Sequence, residues 1–200
     1  MKFVNQLDYP EVPYITRQEM EDEASREKGK KTTVATSACG LCSAITVVDR
    51  LLVNTELSLK EAIRLSYASK ANLRIGTDYT VFAPALAERF GLDLEMTDDP
   101  ERLLFCLRTG GCAVAESAGD REGYIGVFTH NAHYVNVIAV QRDGRFAVLD
   151  PAIKEGKYDE EGRREKVEVR GGFVLCGLKT LMEDTEGADR RFYLFWRKEK

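Results

Sequence analysis

No stretch of this sequence approaches the roughly eighteen consecutive apolar residues that a membrane-spanning helix requires. The opening run, MKFVNQLDYPEVPY, lacks the continuous apolar centre of a secretory signal peptide. Basic excess is missing too: 29 Lys and Arg stand against 33 Asp and Glu, for a net charge of −4 and a pI near 5.4. A nucleic-acid surface wants a positive face. The one basic cluster, Lys28 to Lys31, follows an acidic run, Glu19 to Glu23, that offsets it. There is no internal repeat and no low-complexity linker. The five cysteines are an odd number scattered along the chain, which argues against a disulfide framework and for reduced thiols. These absences lead us to expect neither a nucleic-acid nor a membrane partner. As written, the chain reads as cytoplasmic, or as secreted if a leader has been removed.

What is present is the composition of one ordinary domain: 200 residues, 44% hydrophobic and 31% charged, enough to bury a core. We take 1–200 as a single domain, with 1–32 as an N-terminal extension. Thr16-Arg17-Gln18-Glu19 is a capping box that would open a very polar helix ending at Gly29. Leu41, Ala44, Ile45, Val48, Leu51 and Leu52 recur at helical spacing and mark a buried helix with Cys39 at its start. Ser58 and Glu61 form a further capping box, a helix is expected over about 80–90, and Asp99-Pro100 caps another that Gly110 closes. Beyond Gly110 the pattern changes to strands: 112–116, 134–140, 146–149, 173–176 and 192–196, with Asp143-Gly144 as a hairpin turn and a charged loop over 156–162. Helices followed by antiparallel strands predict an α+β fold.

Three chemistries suit Cys39 and Cys42 in "SACGLCSA". The first is a redox dithiol at a helix start. A thioredoxin-like motif follows a strand, however, and residues 30–38 are polar and turn-like. The second is zinc, with His130 and His133 completing a C-x2-C/H-x2-H set; that histidine gap is short, and an offset of three on one strand points to opposite faces. The third is a nucleophile. A cysteine at a helix N-terminus gains from unpaired backbone N–H groups and the helix dipole, and a histidine base with an orienting group would complete it. His133 heads a strand in "HNAHYVNVIAVQRDGRFAVLDPA", and the return strand ends at Asp150-Pro151. One hairpin thus carries an imidazole and a carboxylate towards the same end. Cys42, Cys106, Cys112 and Cys176 read as core residues, and His130 as a loop residue.

With Cys-Gly at an apolar helix start, a His-Tyr-Val-x-Val strand, a turn and Val-x-Asp-Pro, the sequence resembles the C39-like group of papain-like cysteine peptidases, relatives of the bacterial bacteriocin leader peptidases. "GTDYTVFAPALAERFGLDLE" and "LRTGGCAVAES" are similar to the intervening stretches of that group, so the resemblance covers about residues 33–151. It implies a papain-like architecture: an N-terminal helical part on a C-terminal antiparallel sheet. Cys39 would be the nucleophile, His133 the base and acid, and Asp150 the orienter, acting on a peptide or amide substrate with no cofactor and no metal. Amide-forming acyl transfer and a non-catalytic peptide-binding domain are the other activities open to the same frame. The chain departs from the group six residues before the cysteine: Thr33 stands where a glutamine would help bind the oxyanion. Thr33 is therefore the oxyanion-hole candidate, with Thr36, Ser37, Gln6 and Gln18 as other sources of a donor. Strand pairing raises a further difficulty. A two-residue turn at Asp143-Gly144 pairs Gln141 with Phe146 and hence Val137 with Asp150, leaving His133 four residues, or roughly 13 Å, along the strand. A bulge or a longer loop has to close that gap.

Overall fold

The structure, a computed structural model, describes residues 1–17 and 32–198. All but the first two residues of the polar helix expected over 16–29, Gln18 among them, lie outside the described residues. The described helices are α1 (Val34–Ser37), α2 (Cys39–Leu51), α3 (Leu59–Ser69), α4 (Tyr79–Phe90), α5 (Pro100–Arg108) and α6 (Leu178–Asp184). The strands are β1 (Leu92–Thr97), β2 (Cys112–Ser117), β3 (His133–Val140), β4 (Phe146–Leu149), β5 (Val167–Arg170), β6 (Phe173–Cys176) and β7 (Phe192–Arg197). All pairings are antiparallel, and the sheet order is β1-β7-β2-β3-β4-β6-β5.

Local signals account for most of the boundaries. The α2 stripe is buried at Leu41, Ala44, Ile45, Val48 and Leu51. At α3 the capping box closes with Glu61 N–H donating to Ser58 Oγ at 3.2 Å and Ser58 N–H to Glu61 Oε2 at 3.0 Å. Asp99 Oδ1 accepts from Glu101 N–H at 2.8 Å to start α5. Two expectations about order need correction. β1 falls between helices α4 and α5, and α6 interrupts the strands between β6 and β7. The α+β class is unaffected.

The sheet is covered on both faces. Its Cys112, Val114, Tyr134, Ile138, Tyr193 and Phe195 face α2 and α4. The alternate residues Ala113, Ala115, Val135, Val137, Phe192 and Leu194 pack with Leu103 and Cys106 of α5 and Leu181 of α6. Burial on both sides explains why β2 and β3 read as continuous apolar runs rather than alternating ones. The first seventeen residues pack as part of this body. Val4 and Tyr14 are buried in the α2 core, Gln6 N–H donates to Pro151 O at 2.7 Å, and Pro13 bridges to Thr33.

The hairpin β3–β4 differs from the expected two-residue register. The last pair is Val140 with Phe146, so the loop is longer by one residue on the β3 side, and a bulge between Val137 and Ala139 shifts the ladder once more. Beyond the bulge Asn136 faces Leu149. Asp150 therefore falls opposite Val135, two residues from His133 rather than four. Two single-residue slips keep both side chains on one face while halving their separation to roughly 7 Å, a diagonal that side chains can span.

Candidate active site

Three segments converge: the start of α2, the start of β3 and the residue after β4. Helix α2 is fastened to β3 directly, with Asn136 Nδ2 donating to Ser43 O at 3.0 Å and Ser43 Oγ to Tyr134 O at 3.4 Å. Gly40 allows the helix start to sit this close. A β-carbon there would lie 3.0 Å from the Tyr79 ring, 3.1 Å from Thr77 Cβ and 3.3 Å from the Tyr134 ring. Gly40→Ala is therefore expected to push the first turn of α2 off the sheet, at a cost of about 1–3 kcal/mol. Thermal denaturation together with the alkylation rate of Cys39 would check this, and an unchanged rate would mean the close contact does not position the thiol.

Cys39 is half-buried, whereas Cys42, Cys106, Cys112 and Cys176 are buried; all five are free thiols. Burial alone would raise the Cys39 pKa. The His133 charge, a hydrogen bond from His133 and the backbone groups of Tyr134 and Gly40 outweigh it and bring the thiol below its ordinary 9.0. Cys42, one turn further in, has only burial and the neighbouring Cys39 charge acting on it, and both push it well above the ordinary range. One cysteine of the pair thus lies half-buried at the helix end and the other in the core.

His133 joins the thiol to a carboxylate. Its Nε2 lies 2.7 Å from Asp150 Oδ1, and its charge is the largest influence drawing the Cys39 pKa down. Burial would lower the imidazole pKa, but the Cys39 and Asp150 charges reverse this and raise it to about 9. Asp150 is fully buried and saturated with donors. Besides His133, Oδ1 takes Ala152 N–H at 2.8 Å, while Oδ2 takes Tyr158 Oη at 2.7 Å and Lys157 Nζ at 2.5 Å. Burial alone would push the Asp150 carboxyl up. His133 and then Lys157 overcome that and hold it well below the usual carboxylate range.

Lys157 and Tyr158 were not picked out from the sequence. They sit in what reads as a charged surface loop, and their only signal is an aromatic residue between a lysine and an acidic pair. Of the proposed oxyanion donors, Thr33 caps α1, its backbone N–H donating to Thr36 Oγ1 at 2.9 Å. Ser37 Oγ is 3.2 Å from Thr36 Oγ1. Gln6 is buried, and its Nε2 donates to Ala35 O at 2.7 Å. Through its backbone bond to Pro151 it therefore touches the segments leading to both Cys39 and Asp150. His130 is drawn away from the cysteines, with Nδ1 2.9 Å from Asp120 and Nε2 3.1 Å from Glu160. Among the described residues no group of three or more His, Cys, Asp or Glu is arranged to hold a metal ion.

No family model matches the chain, and no curated relative does. Among solved structures it is similar to a crystal structure from Bacillus anthracis described as a "putative C39-like peptidase", with a TM-score of 0.54 and 10% identity over 82% of this chain and 90% of that one. At that identity the likeness is one of fold.

Proposed function

We propose that the protein is a cysteine peptidase, cleaving a peptide or amide bond through a thioester on Cys39. The observation that carries this reading is the His133–Asp150 pair beside Cys39: a half-buried thiol at a helix start whose pKa the His133 charge draws down, and an imidazole whose Nε2 is held at 2.7 Å by a buried carboxylate. The fold likeness to a C39-like peptidase supports the same reading.

The chemistry runs in two halves. The Cys39 thiolate attacks the carbonyl carbon, and the oxyanion that forms faces the N–H groups at the start of α2, which have no intrahelical partners. His133, protonated, passes its proton to the departing amine as the C–N bond breaks. The neutral imidazole then takes a proton from water as it attacks the thioester, and the thiolate leaves as the acid product forms. Asp150 holds the imidazole with Nε2–H towards itself throughout. Of the side chains weighed as a second oxyanion donor, Gln6 is the one placed between the nucleophile and carboxylate segments, so we favour it over Thr33.

The test is the rate of Cys39 alkylation against pH, in wild type and in His133→Ala. In wild type the thiolate is expected to be present below pH 9, because the shift is downward, with the thiolate–imidazolium pair persisting until His133 loses its proton near pH 9 and the thiolate remaining above that. In His133→Ala the midpoint is expected to rise, since the largest influences opposing burial are lost and only the Tyr134 and Gly40 backbone groups remain against it. An ordinary thiol profile in wild type, unmoved by the mutation, rules the reading out. Added amines or thiols that divert the acyl group would mark an acyltransferase instead.

A further inference from the structure

The most unusual group near the site is one the peptidase mechanism above does not use. Lys157 is 7% exposed, so its ion pair with Asp150 does not belong with the surface pairs that contribute little. A buried ammonium is costly unless its partners are good. Here Nζ meets Asp150 Oδ2 at 2.5 Å and Ala152 O at 3.3 Å. The loop that brings it back is braced at several points. Asn5 Nδ2 donates to Ile153 O at 2.8 Å, and the buried Arg163 donates from Nη1 to Lys157 O at 3.3 Å and from Nε to Gly126 O at 2.8 Å. Arg163 thereby ties the loop after Asp150 to the loop before His133.

We propose that Lys157 is a positioning residue of the site: it fixes the second oxygen of Asp150 and balances its charge, so that thiolate, imidazolium, carboxylate and ammonium form a row of alternating sign with no net charge. This rests on the peptidase reading. Without the ammonium, the row carries one uncompensated negative charge. The negative potential then opposes the thiolate, and it holds the proton more tightly on the imidazolium that must release it to the leaving amine.

The groups facing this row are few. Cys39 comes from α2, His133 from β3, and Lys157 and Tyr158 from the loop, while Asp184 and Arg163 act on Tyr158 from further out. Tyr14, Tyr79, Tyr134 and Cys42 also feel the Cys39 charge, and burial keeps all four protonated through the working range. None of them can substitute for the ammonium.

The experiment compares alkylation of Cys39 against pH in wild type, Lys157→Arg, Lys157→Met, Asp150→Asn and the double variant Asp150→Asn/Lys157→Met. A unit charge acting through roughly 10 Å at an effective dielectric near 20 moves a pKa by about one unit. Lys157→Met is therefore expected to move the thiolate midpoint up by about one pH unit, and Lys157→Arg to stay near wild type. The methionine effect should shrink in the Asp150→Asn background, where only the ammonium's direct action on the thiolate is left to lose and its hold on the carboxylate is already gone. Lys157→Gln is measured alongside, so that if the methionine variant fails to fold, the neutral but polar one decides. A neutral variant that superimposes on wild type overturns the proposal, as does a shift that persists undiminished without the Asp150 charge. Failure of the peptidase reading looks different: the wild-type profile itself would be that of an ordinary thiol.

Discussion

Replacing Cys39 by alanine is expected to remove peptide hydrolysis almost entirely, on the order of 10⁵–10⁶-fold, while leaving the fold in place. The size follows from the roles of the residues. Without the thiol there is no thioester, so the remaining helix-start N–H groups can stabilise only a direct attack by water, and residual rates of that kind are small. The fold should survive because Cys39 is half-buried at a helix end, and alanine is a good helix former there. His133→Ala is expected to cost nearly as much, and the double variant little more than either single one, since the two groups act as a unit. Cys42→Ala is the control. Cys42 packs in the core behind the site, so it should lower the melting temperature modestly and leave turnover close to wild type. Turnover on a peptide library, followed by mass spectrometry, checks all four. If Cys39→Ala retained wild-type hydrolysis, the nucleophile would have to lie elsewhere; if Cys42→Ala abolished it, the two cysteines would be a pair after all.

The contrast between the two cysteines was legible in the sequence, because it depends on local features: a helix stripe, a glycine after Cys39 and polar residues before it. His133 and Asp150 were legible as the ends of one hairpin. Their approach was not. It depends on a bulge and a lengthened loop, each shifting the ladder by one residue, and nothing in "HYVNVIAVQRDGRFAVLD" announces where a bulge relieves the pairing. The edge strand β5 was missed for a related reason. Val167-Glu168-Val169-Arg170 is short, charged and mostly exposed, as edges that resist further pairing tend to be. Lys157 and Tyr158 were hidden because their burial is produced by a loop returning on itself, braced by Arg163 of the same loop and by Asn5 from far along the chain. Tertiary closure of that kind has no periodicity to read.

Asp150 is where structure and chemistry are most tightly joined, and its removal should damage both. Asp150→Ala leaves the Lys157 ammonium and the His133 imidazole buried without their shared carboxylate. Breaking a buried pair from one side costs about 3–5 kcal/mol, which for a chain of this size lowers the melting temperature by about 6–20 °C. Removing Lys157 as well should restore part of that loss, because the uncompensated charge goes with it; a double variant no more stable than Asp150→Ala would show that the lost hydrogen bonds, and not the stranded ammonium, dominate. Asp150→Asn is gentler on the fold. The amide oxygen can still accept from the imidazolium Nε2–H, as in Cys-His-Asn triads, but the carboxylate charge that favours the imidazolium is gone, so turnover is expected to fall without being abolished. The acid side of the stability curve gives an independent reading. In the unfolded chain Asp150 takes up its proton near pH 3.9, whereas in the folded protein it does so only at much lower pH. Between the two values unfolding takes up a proton, so the stabilisation is fully present above about pH 4 and is lost as the pH falls towards the folded value. Asp150→Asn has no such proton to take up. Denaturant titrations between pH 5 and pH 2 should therefore find the variant's deficit largest at pH 5 and shrinking as the solution is acidified; a constant deficit across that range would mean that the carboxylate's charge contributes nothing to holding the site together.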